Sequence, residues 1–65
     1  MRRYIMLTNY EIDTPVIIFI DSIVLISVDE DEITYINTQG IDVRVKENMN
    51  EVLEMINKME QNEKK

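Results

Sequence analysis

Cysteine, histidine and tryptophan are missing from this chain of 65 residues, and glycine, proline and phenylalanine each occur once. Without Cys or His, disulfide staples and the commonest metal ligands are excluded, and with them the familiar nucleophile–base pairs of hydrolytic catalysis. A hydroxyl such as Ser22, Ser27 or Thr34 would need a Lys or carboxylate base, and no spacing in the chain supplies one. The expectation is a protein that is not an enzyme and that holds no cofactor and no metal.

Positive charge is also scarce. Seven basic residues against thirteen acidic ones give a net charge of −6 and an isoelectric point near 4.4. Phosphate backbones and anionic membranes repel such a chain, so no direct nucleic-acid binding is expected. Long apolar runs are absent too: Val16 to Ile20 and Ile23 to Ile26 are the longest, far short of the roughly 18 residues of a spanning helix. The basic start reaches Thr8, Asn9 and Glu11 before any signal-peptide core can form. No membrane insertion and a cytoplasmic location follow as expectations, and the lack of Cys agrees with a reducing compartment.

What the chain does have is the stretch Thr14 to Val28, TPVIIFIDSIVLISV, crowded with β-branched residues. A domain of this size buries only roughly 60% of its unfolded surface, so it usually needs a staple or a partner subunit. With disulfides and common metal sites gone, self-association is the option left.

Two-residue alternation predicts strands over residues 4–8, 15–20, 23–28, 33–37 and 41–46 of a single domain covering 1–65. Ile5 and Leu7 share one face of the first strand. In the second, Val16, Ile18 and Ile20 face one way and Ile17 and Phe19 the other, so it is apolar on both sides. Asp21-Ser22 predicts a tight bend, the run Asp29 to Glu32 a solvated turn, and Asn37 to Gly40 a hairpin loop whose glycine takes positive φ. Ile41, Val43 and Val45 are expected to face inward, with Asp42, Arg44 and Lys46 outward. Asn48 and Glu51 stand at capping-box spacing and open a helix over 49–60, with Met49, Val52, Leu53, Met55, Ile56 and Met59 on one stripe. Residues 61–65 read as a frayed tail. The predicted fold is α+β, a small, mostly antiparallel sheet of four to five strands with one C-terminal helix packed on one face.

Four stretches carry a family resemblance. Ile5-Met6-Leu7-Thr8, Ile20-Asp21-Ser22-Ile23-Val24-Leu25-Ile26, Ile33-Thr34-Tyr35-Ile36-Asn37, and Val45-Lys46-Glu47-Asn48 with Glu51-Val52 resemble the corresponding segments of the small flagellar FlbD family. The resemblance implies a bacterial or phage-derived adaptor of that form.

Three groups of residues are candidate contacts. One helix covers one face of a small sheet, so Ile17 and Phe19 need a second cover. A second copy of the chain is the favoured one, making Ile17 and Phe19 the candidate subunit interface; curvature of the sheet into a partial barrel is the alternative. Asp29, Glu30, Asp31 and Glu32 are a candidate acidic contact for a protein partner, and could belong to an inhibitor that imitates nucleic acid on a basic target. Arg44 and Lys46, or the Arg2-Arg3 pair, are candidate anion contacts for a ligand held between subunits. The favoured function is a homo-oligomeric, protein-binding adaptor or regulator.

Overall fold

A computed structural model describes residues 3–63, and side chains through residue 61. In chain order the elements are β1 (Tyr4–Thr8), β2 (Pro15–Phe19), a 3-10 turn (Ile20–Ser22), β3 (Leu25–Val28), β4 (Thr34–Thr38), β5 (Ile41–Val45) and α1 (Met49–Glu63). The class is α+β, as the alternation predicts. The strands, however, form two antiparallel sheets rather than one, β1 with β2 and β3-β4-β5 with β4 in the centre.

Register follows the apolar alternation. Ile5 stands opposite Ile18 and Leu7 opposite Val16 on the inner face of the first sheet, with Tyr4 opposite Phe19 and Met6 opposite Ile17 on the outer face. In the second sheet Ile36 lies between Ile26 and Val43, and Thr34 between Val28 and Val45. The inner faces meet in one core of Ile5, Leu7, Ile18, Ile36, Val45 and Val52. The Thr34 side chain is buried among them, and its hydroxyl has no hydrogen-bond partner among the described residues.

The turns are held by local side-chain chemistry. Asn9 Oδ1 accepts from the N–H groups of Glu11 and Ile12 and so folds the β1–β2 connection, which ends at Asp13 with φ 56°. Gln39 (φ 49°) and Gly40 (φ 98°) form the two-residue β4–β5 turn, where a β-carbon at Gly40 would be strained. The Asp21-Ser22 bend is the 3-10 turn, closed by the Ile23 N–H donating to the Ile20 carbonyl at 3.1 Å. For that reason β3 starts at Leu25, two residues later than the pattern predicts.

A joint connects the sheets where the end of β1 meets the end of β5. Asn9 bridges Val45, the Tyr10 N–H donates to the Arg44 carbonyl at 2.9 Å, and the Lys46 N–H donates to the Thr8 carbonyl at 2.9 Å. Glu47 completes it, accepting from the Thr8 N–H at 2.9 Å and the Thr8 hydroxyl at 3.0 Å.

The helix begins one residue later with the predicted capping box: the Glu51 N–H donates to Asn48 Oδ1 at 2.8 Å, and the Asn48 N–H to Glu51 Oε1 at 3.1 Å. Val52 is fully buried, while Leu53, at the edge of the stripe, is half exposed. Two further expectations are corrected. The helix continues through Glu63, past the predicted end of the stripe, while residues 64 and 65 of the expected tail lie outside the described residues. Ile41 is 65% exposed because it sits at the hairpin tip beside Gly40, beyond the reach of the core.

Two substitutions test this frame. Glu47→Ala strands the Thr8 N–H in a partly buried site and is expected to cost about 1–3 kcal/mol in urea unfolding. Asn48→Ala, which removes only the cap, is expected to cost about 1 kcal/mol. Equal stability of Glu47→Ala and the unsubstituted chain would show that the clasp does not hold the joint.

Candidate functional site

Strand alternation places Tyr4, Met6, Ile17 and Phe19 together on the outer face of β1–β2, all exposed although apolar. Tyr4 and Phe19 meet edge to face with ring centroids 6.3 Å apart. Bending of the two sheets around the shared core covers Val16 and Ile18 but not this face, so curvature within one chain supplies only half of the cover that the two-sided strand needs.

The apolar surface continues around the edge of β2 that faces away from β1 into a groove of about 350 Å³. Val16, Ile17, Ile18 and Phe19, four consecutive residues, form one wall. Neighbouring side chains of a strand point to opposite faces, so all four can line one groove only where it runs along the strand's edge. Thr38, Ile41 and Val43 of the β4–β5 hairpin form the other wall, and Asn9 and Ser22 also border the groove. Ile17 and Phe19, the subunit-interface candidates of the sequence, thus come together with Tyr4, Met6 and Ile41, which lie outside that candidate pair. The period in β1 already put Tyr4 and Met6 on the face opposite Ile5 and Leu7; no sequence signal marked Ile41. A separate apolar strip, Val24, Leu25 and Val28, is exposed at β3.

The carboxylate run divides into two roles. Asp29 Oδ1 accepts from the N–H groups of Asp31 (2.9 Å) and Ile33 (3.0 Å), holding the β3–β4 turn in which Glu32 takes φ 63°. The Ile33 N–H is the main cause that holds the Asp29 carboxyl below its usual range, with Asp31, Tyr35 and Arg44 acting in the same direction and desolvation opposing them. Glu30, Asp31 and Glu32 point into solvent.

The candidate anion contacts are engaged within the chain. Arg44 lies 2.8 Å from Glu11 and its guanidinium sits 5.9 Å from the Tyr10 ring centroid; Lys46 lies 2.9 Å from Asp13. Glu11 is the first cause raising the Arg44 pKa. An anionic ligand at this pair would compete with both carboxylates. Arg3 bridges Asp21 at 3.0 Å and Glu60 at 3.7 Å, and Arg2 lies outside the described residues. Among the described residues no three acidic side chains gather as a metal site would require, and no helix is long and apolar enough to cross a membrane.

The Asp29 assignment makes a pH prediction. Because its folded pKa is depressed, its contribution is fully present above the ordinary Asp value of about 3.9 and is lost as pH falls through the folded value. Thermal unfolding followed from pH 7 to pH 2 should therefore show a smaller acid loss for Asp29→Asn than for the unsubstituted chain. At pH 7, Asp29→Ala should melt lower while Glu30→Lys melts unchanged; parallel acid curves would refute the turn-holding role.

Compared with known proteins, the chain matches no family model, no curated protein and no solved structure.

Proposed function

We propose that this chain is a small non-catalytic binding protein that associates with itself and docks on a larger protein, an adaptor or regulator in the manner of the FlbD-like proteins whose segments it resembles. One observation carries the reading: the apolar surface of Tyr4, Met6, Ile17 and Phe19 that runs on into the groove beside Ile41. Scattered single hydrophobic residues are normal on any surface, but paired cross-strand neighbours that open into an apolar groove mark an interaction site.

The solvated carboxylates Glu30, Asp31 and Glu32 fit a partner that brings a basic surface to the β3–β4 turn. Ion pairing of Arg44 and Lys46 with Glu11 and Asp13 weighs against the reading in which these two cations hold a small anion.

Native mass spectrometry of the protein from its own host tests the proposal, since one spectrum reports subunit number and retained mass. The expected species is a homo-oligomer, and Phe19→Asp is expected to shift it to monomer by placing a charge in the shared apolar surface. A bare monomer of the unsubstituted chain, or a folded Phe19→Asp protein of unchanged oligomeric mass, would overturn it.

A further inference from the structure

Resting on the self-association just proposed, we infer that the occupant of the groove is β2 of a second copy, paired antiparallel with β2 of the first about a two-fold axis at Ile17.

The ladder supplies the first argument. Asn9 N–H donates to the Thr14 carbonyl and Ile20 N–H to the Arg3 carbonyl, which fixes the alternation between them. Val16 and Ile18 turn their backbone groups toward β1, and Ile17 turns its N–H and carbonyl to the outer edge. An edge strand is normally blunted by a charge, a bulge or a cover. Pro15–Phe19 holds no charged residue, and Pro15 blunts only its start.

Self-complementarity supplies the second. An antiparallel two-fold at Ile17 sets Ile17 against Ile17 and Pro15 of each copy against Phe19 of the other. Beyond the strand ends it brings Asp13 of one copy toward Asp21 of the other. Like charges would oppose this, yet Asp13 is already paired with Lys46 at 2.9 Å and Asp21 with Arg3 at 3.0 Å. Each end of the ladder therefore brings one ion pair toward another.

Area is the third argument. At their observed exposures, Ile17, Phe19 and Ile41, which line the groove, offer on the order of 300 Å² of apolar side chain, with an aromatic side chain spanning roughly 150–250 Å². A standard stable interface buries about 800 Å² per partner, so a contact along this edge, to which the strand backbone adds, belongs at the low, reversible end of the size range. The incoming strand also covers Ile41 on the far wall.

Two facing Ile17 residues that exchange backbone hydrogen bonds have Cα atoms about 5.5 Å apart, within the roughly 4.4–6.8 Å that a disulfide spans. The native chain has no cysteine, so a single Ile17→Cys substitution reports on this contact alone. Under mild oxidation it should form a covalent dimer in high yield, at least tenfold faster than Leu25→Cys. In the unsubstituted protein the Ile17 amide should become protected from hydrogen exchange as concentration rises, a readout that does not depend on any variant.

An oligomer in the native spectrum whose Ile17 amide stays unprotected, or in which Leu25→Cys cross-links faster, would overturn the pairing and leave self-association standing. A monomer at every concentration would overturn both. Protection of Ile17 only in complex with a foreign polypeptide would assign the groove to a partner's strand and overturn the self-pairing.

Discussion

The structure depends on the joint between the ends of β1 and β5. Apart from it, the strands fall into a two-stranded hairpin and a three-stranded meander linked by the shared core and α1, and an isolated two-stranded hairpin is at best marginally stable in water. The Asn9–Val45 bridge, its two flanking backbone hydrogen bonds and the Glu47 clasp on Thr8 turn the inner faces of both sheets toward one core. The same few residues also set the start of the helix, because Glu47 stands immediately before the Asn48 cap. Two more contacts, Arg44–Glu11 and Lys46–Asp13, tie the β1–β2 connection to β5 across this joint. Exposed ion pairs of this kind contribute little individually. Their effect here is positional, since they fix the loop that leads into β2.

That arrangement explains why one apolar face is left over. With the helix and the second sheet both applied to the inner side of β1–β2, no other strand or helix among the described residues lies over the outer side. The surplus is concentrated by strand alternation, which sends every second residue outward and so collects Tyr4, Met6, Ile17 and Phe19 in one place. An isolated exposed isoleucine would carry no such meaning.

Much of the fold was legible because its signals are local. The capping box of Asn48 and Glu51, the Gln39-Gly40 turn and the alternation of Ile5 and Leu7 each depend on residues within a few positions of one another. The division into two sheets was not legible, because it depends on Thr8 meeting Glu47, 39 positions apart, and no spacing rule predicts that meeting. Arg44 and Lys46 were read correctly as facing outward, but outward position says nothing of whether a loop carboxylate waits there. Asp29 was grouped with its acidic neighbours for the same reason: composition does not distinguish a carboxylate that holds a turn from three that stand in water. Of the apolar site, Ile17 and Phe19 could be named because a two-sided apolar strand is visible as a run. Ile41 could not, since its place in the groove comes from the hairpin tip folding toward β2.

The proposed pairing through β2 would also decide what kind of assembly results. An open edge strand offers a template for unlimited addition, and a charge-free one carries that hazard most strongly. A two-fold pairing uses the same edge on both copies and so consumes it, leaving a closed object. The other edge strand, β3, touches α1 but keeps Leu25 and Val28 exposed, and the acidic β3–β4 turn at its end opposes the approach of other negatively charged copies. Association through one edge and repulsion at the other favour a dimer over a fibre. A dimer of this kind would draw the folded chain out of its equilibrium with the unfolded one, and the same contact would raise the stability of a domain that is otherwise near the lower size limit for folding alone.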